Sequence, residues 1–148
     1  MKVKTGRDNA MGWKDKMHEF GGGDLAFLSE DGEVIRFMIV GEPILLEGKF
    51  KGRPSEKIGC PIMTPDGFQL FIAGKRLARK IAKYEDMLIS TAFMAIRHGG
   101  QNDISATYEL KVYDDKEFTK ELLGKIKGHN FDVEIKEAVA AAKEVMNQ

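Results

Sequence analysis

The chain has 148 residues, of which 43% are hydrophobic, and it carries 23 basic and 23 acidic side chains. This length and composition predict one folded domain with short appendages and exclude an intrinsically disordered chain. The single cysteine, Cys60, excludes an internal disulfide, and the sequence has no apolar run typical of a signal peptide or a membrane span, so we expect a cytoplasmic protein.

The first part of the chain predicts an arm followed by two extended segments. Apolar residues at helical spacing in WKDKMHEF precede a Gly-Gly-Gly stop, so we predict an N-terminal arm over residues 1–24 with one short helix. The turn SEDGE leads into EVIRFMIV at residues 33–40, whose β-branched and aromatic residues predict a strand. ILLEGKF at residues 44–50 predicts a second extended segment, which runs into the basic loop KGRPSEK.

The middle of the chain predicts a hairpin, a helix and a longer hairpin. IGCPIM at residues 58–63 and FQLFIA at residues 68–73 flank TPDG, a β-turn with proline at its second position. Apolar residues spaced i, i+4 and i+7 in GKRLARKIAKYED, residues 74–86, predict an amphipathic helix with a basic outer surface. MLISTAFMAIR at residues 87–97 and ISATYELKVY at residues 104–113 predict two strands joined by HGGQND, and strict alternation gives the second strand one buried and one wet face.

Two helices are predicted to close the chain. DDKEFTKELLGKIKG at residues 114–128 has an acidic start, one apolar stripe and a C-terminal glycine stop. FDVEIKEAVAAAKEVM at residues 131–146 repeats the apolar stripe. We therefore divide the chain into the N-terminal arm (1–24), a β-domain (25–113) and a C-terminal helical extension (114–148).

This order of elements is that of the OB-fold, a five-stranded Greek-key barrel, with a helix between its third and fourth strands. Residues 33–50 correspond to its long bent first strand, residues 57–73 to strands two and three, residues 75–84 to the helix, and residues 87–113 to strands four and five. The predicted fold class is therefore mainly β with α, an OB-fold barrel followed by two C-terminal helices. OB-folds bind oligonucleotides or oligosaccharides on strands two and three, between the loop that joins strands one and two and the loop that joins strands four and five.

Charge is segregated along the chain. Residues 43–100 contain 10 basic and 5 acidic side chains, whereas residues 1–42 contain 6 and 8, and residues 101–148 contain 7 and 10. A positive surface confined to one part of a fold is typical of proteins that bind nucleic acid. A chance distribution of solvated charges is the alternative.

The two loops that would border an OB-fold groove carry suitable side chains. Lysine and arginine contact phosphates, and an aromatic ring that stacks on a base contributes about 1–3 kcal/mol. Phe50, flanked by lysines, and Phe71, predicted on the outer face of its strand, are candidate stacking platforms, and burial in the core is their alternative. The predicted nucleic-acid-binding residues are Arg36, Lys49, Phe50, Lys51, Arg53, Lys57, Phe71, Arg97 and His98. The helix cations Arg76, Arg79, Lys80 and Lys83 are either a solvated surface or a further contact.

Two stretches of the sequence, DGEVIRFMIVGEPILLEG and LISTAFMAIRHGGQNDISATYELKV, resemble the phage-type single-stranded DNA-binding proteins. In that family a tip of the form R-x-G precedes a strand with threonine and tyrosine, and Arg97, Gly99, Thr107 and Tyr108 match it. The resemblance covers residues 25–113. It implies a barrel that coats exposed strands in DNA replication or recombination, in the host cytoplasm for a viral protein. Many members end in an acidic tail that recruits partners, whereas this chain ends in a predicted helix.

We therefore predict a non-catalytic protein that binds single-stranded DNA, or RNA, without sequence specificity and without a cofactor. A phosphate-binding glycine loop, a nucleophile elbow and an H-E-x-x-H motif are all missing from the sequence, and its three histidines are too dispersed to predict a metal site. Cys60 is expected to be a small buried apolar residue. The competing hypothesis is an interaction module whose alanine-containing C-terminal helices form a homodimer or bind replication or recombination proteins.

Overall fold

The computed structural model describes residues 24–50 and 52–147, and of residue 50 only the backbone. The predicted N-terminal arm, apart from Asp24, lies outside the described residues. Within them the chain forms a mixed α/β structure of seven strands, three α-helices and one 3-10 helix. The strands are β1 (Leu25–Ala26), β2 (Val34–Ile39), β3 (Ile44–Phe50), β4 (Arg53–Thr64), β5 (Gly67–Ala73), β6 (Ala92–His98) and β7 (Thr107–Val112). The helices are α1 (Lys75–Ala82), α2 (Lys116–Ile126) and α3 (Asp132–Met146), and the 3-10 helix spans Glu85–Ser90.

The three α-helices form where their periodicity predicts them. α1 buries Leu77 and Ile81, one turn apart, and leaves its basic residues outside. α2 begins after Asp115, whose carboxylate accepts a hydrogen bond of 3.0 Å from the backbone N–H of Phe118, as expected for an N-cap. These helices therefore follow from local sequence signals, namely apolar periodicity and an N-cap residue.

Three strand boundaries differ from the prediction. β7 begins at Thr107 rather than at Ile104, which was predicted on its buried face and lies exposed in the loop before it. β4 begins at Arg53, so most of the predicted basic loop KGRPSEK is strand, because Gly52 adopts a positive φ of 78° and allows a very short turn after β3. Pro54 is tolerated because, among the described strands, β3 is the one that pairs with this part of β4. β6 begins only at Ala92, because the preceding residues form the 3-10 helix.

β2 and β3 act as the two halves of one long bent strand, as predicted for residues 33–50. Both halves pair antiparallel with β4, with Ile39 opposite Ile62 and Ile44 opposite Gly59. Between these two pairs the β2–β3 side has five residue steps and β4 has three. The two extra residues on the β2–β3 side form a bulge that bends the strand. β2 also pairs with β6, so the bend joins two parts of the sheet.

The predicted closed five-stranded barrel is wrong, because the sheet is open. Its strand order is β1-β5-β4-β2-β6-β7, with β3 attached to β4. Closing the barrel would require β5 to pair with β7. The outer edge of β5 is instead occupied by β1, which pairs parallel with it through Leu25 opposite Leu70 and Ala26 opposite Phe71. Among the described strands, β7 therefore remains an edge strand paired only with β6.

Both faces of the sheet are covered. On one face, α1 closes the main core, whose members include Phe37, Cys60, Ile62, Phe71, Leu77, Ile81, Phe93 and Ala95. On the other face, α3 packs on β3 and β5, and α2 packs near β2 and β4; buried residues there include Met38, Leu46, Met63, Leu70, Leu122, Phe131, Ala138 and Ala142. Because α2 and α3 pack on this face, the C-terminal half of β4 and most of β5, for which the OB-fold prediction left one face exposed to solvent, are largely buried on both faces.

α3 has four alanines, of which Ala140 is exposed, Ala141 is half-buried, and Ala138 and Ala142 are buried. Ala138 and Ala142 are buried in a cluster with Leu46 and Leu70, so they are not available as the small-residue surface that the sequence suggested for a partner. No helix of the described ranges is both long enough and apolar enough to cross a membrane.

Candidate nucleic-acid interface

The predicted binding residues are distributed over three places. Lys49, Arg53 and Lys57 lie exposed on the β3–β4 hairpin, and the backbone of Phe50 pairs there with that of Arg53. Lys51 lies outside the described residues. The remaining four divide equally: Arg36 and His98 are exposed on β2 and β6, whereas Phe71 and Arg97 are buried.

Phe71 does not lie on an outer face, so its prediction as a stacking platform is wrong. Its side chain is 1% exposed, and its ring centroid lies 5.8 Å from that of Phe37 in the main core. The error came from the assumption that one face of β5 is wet, whereas Leu70 and its neighbours on the alternate face pack under α3. Within the ranges whose side chains are described, every aromatic ring is at least partly buried.

Arg97 is a positioning residue rather than a free cation. It is 9% exposed, and its guanidinium donates three hydrogen bonds: Nε to Gly99 O at 2.8 Å, Nη2 to Gly100 O at 2.6 Å and Nη1 to Tyr108 Oη at 2.5 Å. The guanidinium carbon also lies 5.5 Å from the centroid of the Tyr108 ring. The predicted phosphate contact by Arg97 is therefore replaced by a link between β6, β7 and the loop that joins them.

That loop, residues 99–106, is called the hairpin tip below. The N–H of Gly99 donates to Asp31 Oδ1 at 2.9 Å, which ties the tip to the turn before β2. Asp103 Oδ1 accepts hydrogen bonds from the N–H and the hydroxyl of Ser105, and these bonds, with the charge of Arg97, lower the pKa of Asp103. Gly99 has a φ of 122°, and a Cβ atom there would lie 2.8 Å from the Cβ of Ala106. The tip is thus held in one conformation by its own contacts.

The outer face of β6 and β7 is largely neutralised. His98 Nε2 lies 3.1 Å from Glu109 Oε1, and Lys111 Nζ lies 3.0 Å from Glu109 Oε2. The hydrogen bond from His98, followed by that from Lys111, lowers the pKa of Glu109. On the neighbouring β2, Arg36 lies over the ring of Tyr113, with 5.2 Å between the guanidinium carbon and the ring centroid. On this face Glu109 therefore offsets the charge of Lys111, whereas Arg36 keeps its positive charge beside the Tyr113 ring.

The β3–β4 hairpin, in contrast, carries cations without neutralising partners. Lys49, Arg53 and Lys57 are exposed, and no carboxylate of the described residues lies within 4 Å of their charged groups. The hairpin touches α1 through an ion pair between Glu56 and Lys75. Lys49 lies on the same face of the hairpin as Glu56, whereas Arg53 and Lys57 lie on the opposite face, where Leu46 packs under α3.

α1, which the hairpin contacts through Glu56 and Lys75, carries further cations. Residues 75–83 contain five basic and no acidic side chains, and Arg76, Arg79 and Lys83 have no ion pair among the described residues. Lys80 Nζ donates to Tyr108 O at 2.6 Å, so α1 contacts β7 near the hairpin tip as well as β4. We call the exposed unpaired cations of the hairpin and helix the basic band; its residues are Lys49, Arg53, Lys57, Arg76, Arg79 and Lys83.

Other chemistry is sparse in the parts of the chain that the structure covers. They contain no cluster of three or more His, Cys, Asp or Glu side chains that could hold a metal ion. Cys60 is buried, as predicted, and burial raises the pKa of its thiol to about 12.

Comparison with known proteins found no matching family model, no matching curated protein and no matching solved structure. The function is therefore inferred from the geometry and the charge of the molecule. Sequence reasoning missed that α1 connects the two candidate loops, because contacts such as Glu56 with Lys75 join residues far apart in the chain. The run of helix cations was the signal that could have found it.

Proposed function

We propose that this protein binds single-stranded nucleic acid without sequence specificity, through phosphate contacts along the basic band. The observation that carries the proposal is a group of exposed cations on the β3–β4 hairpin and α1 that have no ion pair with any described residue, and these two elements are in contact through Glu56 and Lys75. Cations that neutralise phosphates release condensed counterions, which supplies most of the free energy of non-specific binding. The proposed role is to coat exposed strands during replication or recombination.

The preference for single strands is supported by the strand order. A bent strand, a hairpin, a helix and a second hairpin follow one another as in an OB-fold, and β2 pairs with both β4 and β6. We infer an open variant of that fold in which β1 occupies the edge where closure would take place. Because α3 covers the outer face of β3 and β5, we place the bound strand along the basic band instead.

A charge-removal variant tests the proposal. Arg76→Gln/Arg79→Gln/Lys83→Gln, called the α1 variant, removes three cations from and just beyond α1. Lys116→Gln/Lys120→Gln/Lys127→Gln, called the α2 variant, removes the same net charge from and just beyond α2, at exposed positions outside the band. Binding of a labelled thirty-nucleotide oligothymidine is followed by fluorescence anisotropy over a series of salt concentrations. If all three α1 cations contact phosphate, the slope of log K against log salt becomes shallower by about 2 for the α1 variant and stays unchanged for the α2 variant.

Two outcomes would contradict this assignment. Equal losses in both variants would mean that only the net charge matters, and an unchanged slope in the α1 variant would remove α1 from the interface. Thermal unfolding of each variant shows whether the fold is retained, which we expect because all six positions are exposed.

The competing proposal is an interaction module that forms a homodimer or binds another protein through α2 and α3. Because Ala138 and Ala142 are buried, it would have to use exposed side chains such as Ala140, Leu123 and Val133. Sedimentation velocity of the wild type and of Leu123→Ser/Val133→Ser separates the two proposals. Self-association that this variant abolishes, together with no binding to nucleic acid, would favour the interaction module.

A further inference from the structure

The hairpin tip presents one fully exposed isoleucine. Ile104 has a relative exposure of 104%, the highest among the exposed large apolar residues of the described chain. Single exposed apolar residues are common on protein surfaces, so exposure alone decides nothing. Two further observations indicate a function for Ile104: the fixed conformation of the tip and its position relative to the basic band.

The tip is held rigidly from several sides. Arg97 donates hydrogen bonds to Gly99 O and Gly100 O, and Asp31 accepts one from the Gly99 N–H. Asp103 accepts two from Ser105, the residue that follows Ile104. A rigid loop pays little conformational entropy when its apex inserts into a partner. Ile104 is therefore held out from the loop before any partner binds.

The tip also lies close to one end of α1. Lys80 of α1 donates to Tyr108 O, and the Tyr108 hydroxyl accepts from Arg97, which holds the tip. The other end of α1 contacts the β3–β4 hairpin through Lys75. A strand whose phosphates follow α1 would thus bring its bases near the tip.

We propose that Ile104 inserts between neighbouring bases of the bound strand and unstacks them. Proteins that bend or open nucleic acids commonly use an apolar side chain as such a wedge. This inference rests on the proposed function and deepens it, because it supplies a base contact in a chain whose described aromatic rings are at least partly buried. The preferred ligand is a flexible single strand or a frayed duplex end, where unstacking costs least.

The test uses 2-aminopurine, whose fluorescence rises when it loses its stacked neighbours. The protein is titrated into a single strand that carries 2-aminopurine between adenines, and binding is followed in parallel by anisotropy. The variant is Ile104→Ser, and the matched control is Ile89→Ser, because Ile89 is 89% exposed on the 3-10 helix. Both positions are exposed, so both variants are expected to fold.

We expect the wild type and Ile89→Ser to raise the fluorescence and Ile104→Ser to raise it much less. Affinity should fall roughly fivefold for Ile104→Ser, at the low end of the range for one stacked base, with the salt slope unchanged. Binding without a fluorescence increase, or equal effects of the two variants, would overturn the wedge and leave the proposed function standing. No binding by the wild type would overturn both. Loss of self-association in Ile104→Ser, without any change in 2-aminopurine fluorescence, would assign the tip to a protein contact instead.

Discussion

Arg97 joins β6, β7 and the hairpin tip through one side chain, although the sequence predicted it as one of the nucleic-acid-binding residues. Burial changes the role that such an arginine can have. A cation with three acceptors and 9% exposure has little capacity left for phosphate, and its effect on binding would act through the position of the tip.

Arg97→Ala should therefore lower stability more than it lowers the salt slope of binding. The substitution leaves Gly99 O, Gly100 O and the Tyr108 hydroxyl without their donor, at a cost of about 1–3 kcal/mol in the free energy of unfolding. Urea denaturation measures this cost. Arg53→Ala is the matched control, since Arg53 is exposed and without an ion pair among the described residues, and we expect a change below about 0.5 kcal/mol. Equal stability of the two variants would show that Arg97 is not structural.

At the scale of elements, the packing of α3 on β3 determines which face of the sheet is available. α3 passes so close to Gly48 that a Cβ atom there would lie 2.6 Å from the Cβ of Met146 and 2.9 Å from its carbonyl oxygen. A glycine at this strand position is therefore required by the approach of a helix. The contact fixes α3 over the face that an OB-fold would use for its ligand.

Gly48→Ala should push α3 away from the sheet and destabilise the protein by about 1–3 kcal/mol, as overpacking usually does. Gly124→Ala is the opposite case, because Gly124 lies inside α2 and a Cβ atom there would meet nothing within 4 Å. That substitution should stabilise the protein by about 0.5–1 kcal/mol, since alanine loses less backbone entropy in a helix. Thermal and urea unfolding of both variants check the pair. A neutral or stabilising Gly48→Ala would contradict the close packing of α3.

The sequence predicted the order of elements well because periodicity is a local property. The helices, the turn before β5 and the hairpin of β6 and β7 all follow from patterns within about fifteen residues. Predicted strand boundaries were wrong where the local sequence is compatible with both a loop and a strand. Residues 53–57 look like a loop because of Pro54, yet they extend β4, paired with β3.

At the scale of the whole molecule, the parts that could not be predicted depend on contacts between distant segments. Periodicity shows that Leu70 lies on an apolar face, but it does not show that α3 covers that face or that β1 occupies the edge of β5. The same limit applied to the site. Positive charge in the middle of the chain was visible, whereas the burial of Phe71 and Arg97 and the junction of α1 with both hairpins required the fold.

The central claim is that the basic band binds single-stranded nucleic acid through its phosphates. The most direct measurement is fluorescence anisotropy of one labelled thirty-nucleotide strand and of the same sequence as a duplex, each titrated with the whole protein at about 50 and 200 mM salt. We expect tighter binding to the single strand than to the duplex, with an affinity for the single strand that falls steeply as salt increases. Absence of binding to either form at the lower salt concentration, or binding that does not depend on salt, would contradict the claim.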